Sequence, residues 1–245
     1  MMKKFFTLLL LAVTLVSTAQ ETTLLRLKYT KGDSYAMSMN MVQDVDGAPV
    51  MTMNMDMSVD ITDVTGDEYT SEMKFTKMKM DMFQGGMNMS FDSSKSDDEL
   101  NQMGKMMKAR MGPMLKAVII TKGNNLGDVL EMKIEPNIPG AADMANQQKN
   151  VVYPKHAVKV GDSWDIEREE KGMKMNFIYT VKSIGNKTVV LGISGNITGL
   201  AEGTISGSMD IERATGIPLK NLINMDMTVN EQQMNSKIVV LMTKK

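Results

Sequence analysis

The chain has 245 residues, 28 Lys and Arg against 29 Asp and Glu, a formal charge of −1, one histidine, no cysteine and 29 methionines. Without cysteine there is no disulfide framework, no thiolate metal centre, no cysteine nucleophile and no attachment point for a lipoprotein anchor. The charge is nearly balanced and forms no long basic block, so nucleic acid is excluded as an expected partner.

At the N-terminus, Lys3 and Lys4 precede an apolar run from Phe5 to Val16 and the small residues Ser17 and Ala19. This order predicts a signal peptide over residues 1–19, cut before Gln20. A membrane anchor needs about 20 apolar residues, and this run has 12. The expected mature protein is exported, periplasmic or extracellular, not a lipoprotein, and without a transmembrane segment. Its 226 residues (245 less 19) suffice for one large β domain or two smaller ones.

Period-two alternation then dominates. Tyr35, Met37, Met39 and Met41 share one strand face; after an Asp46-Gly47 turn, Met51, Met53, Met55, Met57, Val59 and Ile61 share the next, opposite Thr52, Asn54, Asp56, Ser58 and Asp60. This pattern predicts an antiparallel hairpin with one dry and one wet face. Beyond Gly66-Asp67, Tyr69, Met73 and Phe75 keep one parity, but Met78, Met80 and Met82 take the other. A β-bulge near Thr76-Lys77 would return them to the same face. Gly85-Gly86 turns the chain into Met87, Met89 and Phe91.

Ser96 with Glu99 three residues later is a capping-box pattern, and Leu100, Met103, Met107, Met111 and Met114 follow at helical spacing. One amphipathic helix is expected over 97–111, weakened by Gly104 and stopped by Gly112-Pro113. Strand patterns resume at 115–121 and 128–132. Residues 133–152, with Pro136, Pro139 and Gly140, form a connector.

The chain then restarts. Gly161-Asp162-Ser163-Trp164 repeats Gly32-Asp33-Ser34-Tyr35 at a separation of 129 (161 less 32), Gly185-Asn186 matches Gly66-Asp67, and MDIERATG echoes MSFDSS. Such repetition fits two related β halves, 20–132 and 153–245; a common turn used twice gives the same signal. Gly192, Gly195, Gly199, Gly203 and Gly207 lie among strand patterns and predict sharp bends or close backbone approach. The expected fold is mainly β, with antiparallel curved sheets or half-barrels: either two half-barrel-like sheets, one to each half, or one large curved sheet, with the single helix.

Catalytic signatures are lacking. His156 is the only histidine, and no nucleophile elbow, HExxH or paired histidine accompanies it, so it reads as a solvated loop residue and the protein as a non-enzyme. In DSSKSDDE neither the turn glycine nor the closing Glu of a calcium loop is suitably placed. No metal or other cofactor is expected. The methionines therefore carry the functional reading, and they permit three. Flexible thioether walls accept apolar ligands of imprecise shape, such as acyl chains. MxM pairs could hold Cu(I). A plain core, as in a structural envelope component, has the same periodicity. The first reading assigns a wall to Met37, Met39, Met41, Met53, Met55, Met57, Met78, Met80 and Met82, and a lid to Met103, Met107 and Met111; its partner is a hydrophobic ligand or an envelope component.

The phrases LKYTKGDSY, MSFDSSK, PKHAVKVGDSW and DIERATGIPLKNL, with the leader ending in Ala-Gln, resemble an uncharacterised family of exported Bacteroidota proteins known only as a domain of unknown function. The resemblance implies an exported, mainly β protein and brings neither an activity nor catalytic residues.

Overall fold

Alternating apolar and polar residues produce long strands, and turn residues mark where they end. The computed structural model describes residues 21–84, 87–136, 151–170 and 172–245. The expected signal peptide, the Gly85-Gly86 turn and most of the 133–152 connector lie outside the described residues. In chain order the strands are β1 (Thr22–Thr23), β2 (Ser34–Val45), β3 (Val50–Thr65), β4 (Glu68–Gln84), β5 (Met87–Asp92), β6 (Val118–Asn124), β7 (Val129–Glu135), β8 (Val158–Lys159), β9 (Ser163–Glu170), β10 (Met173–Ile184), β11 (Thr188–Gly199), β12 (Ala201–Glu212), β13 (Pro218–Val229) and β14 (Gln232–Lys244). Helix α1 (Gln102–Leu115) lies between β5 and β6.

Of the two expected architectures, the continuous one is found. A single antiparallel sheet of 12 strands runs β7-β6-β4-β3-β2-β14-β13-β12-β11-β10-β9, with β5 also paired to β4. The two halves join where β14 pairs with β2, from Met234↔Val45 to Lys244↔Tyr35. β1 and β8 form a separate two-stranded pair. Strand β5 pairs with residues 79–84 of β4, and β6 with residues 68–74. These two short strands therefore continue one line along β4, and the segment carrying α1 is inserted between them.

The sheet is strongly curled at one end. Leu27 N–H donates to Asn125 O (2.8 Å), in the β6–β7 turn, while the next residue, Lys28, donates to Thr215 O (2.8 Å), in the β12–β13 turn. In a flat sheet those turns would be six strand intervals apart, roughly 29 Å at about 4.8 Å per strand. Adjacent residues reach both only because the sheet folds round. Tyr153 repeats the bridge from the second half: its N–H donates to Leu126 O (2.8 Å) and its hydroxyl to Gly216 O (2.7 Å). These two segments, residues 22–30 and 151–159, are straps across the sheet, and Arg26 ties them together by donating to the carbonyls of Pro154 (2.7 Å) and Lys155 (2.6 Å). Strap residues Leu25, Leu27, Val151 and Val158 are buried together with Tyr35, Tyr69, Tyr179 and Leu191 of the sheet, and they plug this end.

Glycine serves the curl where backbones crowd. A Cβ at Gly195, Gly203 or Gly207 would collide with the carbonyl oxygen of Asn176, Asp226 or Leu222 on the neighbouring strand, the close approach expected of this glycine series. At Gly216, with φ +68°, it would collide with the carbonyl of strap residue Arg26.

The repeated Gly-Asp-Ser motifs have matching geometry. Gly32 N–H donates to Ile61 O and Ile61 N–H to Asp33 O; Gly161 N–H donates to Val181 O and Val181 N–H to Asp162 O. Both glycines have positive φ, +90° and +93°. Tyr35 pairs with Val59 as Trp164 pairs with Tyr179. MSFDSS leads into the helical insertion, whereas MDIERATG enters the β12–β13 turn.

Candidate binding face

Strand register converts the separate Met-rich stretches into rows. Met39 pairs with Met55 and Met55 with Met78; Met41 pairs with Met53 and Met53 with Met80; Gln43 pairs with Met51 and Met51 with Met82. Directly opposed residues of an antiparallel pair project from the same face, so these rows form one surface across β2, β3 and β4. The expected bulge makes this possible: Asp56 pairs with Lys77 but Met57 with Phe75, leaving Thr76 as the extra residue. A second irregularity leaves Thr62 unpaired in the ladder between Ile61↔Ser71 and Asp63↔Thr70.

The face extends further than the residues chosen from sequence. Through β14 and β13, Met37 pairs with Met242, Met39 with Val240 and Met41 with Ile238, and Ile238 pairs in turn with Ile223. Met225 and Met227 continue the alternation of β13. The β2–β14 pairing unites residues nearly 200 positions apart, which no local pattern signals.

Burial divides the wall. Met55, Met57, Met78 and Met80 are 4%, 3%, 0% and 8% exposed, so they are core. Met37, Met39, Met41, Met53 and Met82 are half-buried, as are Met225, Met227 and Met242. Helix α1 accounts for much of this division. Among the described residues it packs on β4 and β5, beside the fully buried Met78 and Phe91, and no helix packs to a comparable extent on β2, β14 or β13.

The helix differs in detail from its expected form. The Ser96/Glu99 capping box exists, with Ser96 N–H donating to Glu99 Oε2 (2.9 Å), but it heads only a 3₁₀ turn over Asp97–Glu99. The α-helix starts at Gln102, where Asn101 Oδ1 accepts from Gly104 N–H (2.8 Å), and runs through Gly112 and Pro113 to Leu115. Proline in the last turn removes one backbone donor without ending the helix at once. The span 97–111 is thus corrected to Gln102–Leu115. The lid stripe is corrected too: Met107, Met111 and Met114 are buried or half-buried, but Met103 is 42% exposed. Gly104 takes the inward position, where a Cβ would press on the Leu100 side chain. The glycine allows close packing there, at a cost in helix propensity.

Polar groups on the inner surface are few. Ser236 is buried, and Gln43 Nε2 approaches Met234 Sδ at 2.7 Å. Arg168 lies at the β9 margin, opposite Met175, with its guanidinium 4.9 Å from the Phe177 ring centroid; burial pushes its pKa below the usual guanidinium range. A groove of 370 Å³ lies on the opposite face, among Asp44, Asn224, Asp226, Asn235 and Lys237. His156 is exposed in the second strap. The acids of DSSKSDDE serve local turns, Asp92 accepting from Ser94 N–H and Oγ. Among the described residues, no group of three or more His, Asp or Glu side chains is placed to hold a metal, and no helix is long and apolar enough to cross a membrane.

Residues 141–240 match the model of a family of unknown function, DUF6263. No curated protein matches the sequence. Among solved structures, the chain is similar to one described as lipid-protein interactions in lipovitellin, with a TM-score of 0.56 at 8% identity over 88% of this chain. The match takes in 25% of that chain, so this protein spans about a quarter of its length. At that identity the likeness is one of fold: a large antiparallel sheet with a helix.

Proposed function

We propose that the protein is an exported, non-enzymatic binder of apolar ligands, and that the half-buried part of the methionine face, beyond α1, is its binding surface. One observation carries this reading. Half-buried methionines continue from β3 through β2 to β13, past the limit of the helix, on the inside of a curled sheet. A core would cover them with another layer; a ligand surface leaves them partly accessible. Unbranched thioether side chains re-pack around acyl chains of different length. The fold shared with lipovitellin, whose structure was described in terms of lipid contacts, supports the same class of ligand.

Export follows from the basic, apolar and small-residue order of the first 19 positions. Copper(I) is the weaker reading: the register that aligns Met41, Met53 and Met80 also aligns Met39, Met55 and Met78, so no single set of sulfurs is distinguished.

Purification from the native host, lipid extraction and mass spectrometry should recover acyl lipids. A fluorescent fatty acid should bind the protein, and Met41→Gln/Met53→Gln should weaken it by about tenfold or more while leaving the far-UV circular dichroism unchanged. Unaltered probe binding in that variant, together with a lipid-free native preparation, would overturn the reading.

A further inference from the structure

The side of α1 turned away from the sheet has its own chemistry. Lys105, Met106, Ala109, Arg110, Pro113 and Lys116 are exposed. Met106 is 61% and Met103 42% exposed, two of the larger apolar side chains left in solvent. At 100° per residue, Lys105, Met106, Ala109, Pro113 and Lys116 cluster opposite the inward Gly104, Met107, Met111 and Met114, with Met103 and Arg110 on one flank.

No acidic residue occurs from Gln102 to Lys116, while Lys105, Lys108, Arg110 and Lys116 are all cationic. Lys108 is engaged with Asp97 (2.7 Å). The nearest acids in sequence, Asp97, Asp98 and Glu99, are gathered in the 3₁₀ turn ahead of the helix, where Glu99 accepts from Ser96. Lys105, Arg110 and Lys116 therefore present positive charge around exposed methionines. A helix surface with both features matches an anionic bilayer: cations meet headgroups while short apolar side chains enter the boundary beneath.

We propose that the outer face of α1 docks the protein on an anionic lipid surface, beside the methionine face. The proposal rests on the ligand reading for its purpose, since docking there brings the half-buried methionine face to a source of acyl chains. Its geometry is separate, because the docking residues lie on the outer face and one flank of α1, outside the rows of the wall.

Flotation of the full mature protein with vesicles of phosphatidylglycerol and phosphatidylcholine tests it. Binding is expected to anionic vesicles, weakening with salt, and not to phosphatidylcholine alone. Lys105→Glu/Arg110→Glu/Lys116→Glu should reduce partitioning by at least about tenfold, and Met103→Ser/Met106→Ser should also reduce it. Both variants should bind dispersed fluorescent fatty acid as the parent does, whereas Met41→Gln/Met53→Gln should lose the probe and keep the vesicles. Equal binding to neutral vesicles, no vesicle binding, or charge-reversed helices that bind unchanged would each overturn the docking proposal without touching the ligand reading.

Discussion

Met57 and Met39 lie on the same face of adjacent strands, yet their surroundings differ. Met57 is 3% exposed, with Phe75 and Met37 opposite it, whereas Met39 is half-buried beside Val240. Truncation removes the same side-chain atoms in both cases, but at Met57 it also leaves a cavity that close-packed neighbours cannot fill. Met57→Ala should therefore cost about 2–5 kcal/mol, and Met39→Ala about 1 kcal/mol. Urea denaturation midpoints of the two variants measure the difference. Equal costs would mean that the half-buried methionines are as tightly held as the core, and would remove the physical distinction on which a binding surface depends.

At the scale of elements, period two in the Met-rich stretches was enough to place β2, β3, β4 and even the bulge at Thr76, because a half-buried strand cannot keep a dry face with a change of parity unless an extra residue is inserted. The helix was legible as an element but not at its start. Ser96 and Glu99 form the interaction that their spacing predicts, but Leu100 leaves the helical region at φ −93° and ψ 135°, and Asn101 restarts the chain with its own cap. Two competent caps five residues apart give the same local signal; burial of Leu100 decides between them. Asn101→Ala should cost about 1 kcal/mol through loss of the bond to Gly104 N–H. Glu99→Ala, which touches only the exposed 3₁₀ turn, should cost less than half as much. Thermal melts of both variants would settle the order, and a larger loss at Glu99 would return the functional start of the helix to Ser96.

Across the whole molecule, what the sequence could not disclose was long-range closure. The repeated Gly-Asp-Ser motifs suggested two halves, and the two motifs make the same pattern of turn hydrogen bonds. Yet the pairing of β14 with β2 makes one sheet, and each strap bonds to the opposite half's turn, Lys28 to Thr215 and Tyr153 to Leu126. Neither half can lose its strands without exposing the buried side chains of the other, so unfolding should be a single cooperative transition. Trp164, the only tryptophan, reports on the second half: its indole N–H donates to Val152 O (2.9 Å) and its ring stacks on Tyr179 at 5.8 Å. Met57→Ala lies in the first half. It should lower the midpoint seen by Trp164 fluorescence and that seen by far-UV circular dichroism by the same amount. A fluorescence transition left in place, beside a biphasic dichroism curve, would show that the halves unfold separately and that the β14–β2 seam is weaker than its register of eleven residue pairs leads us to expect.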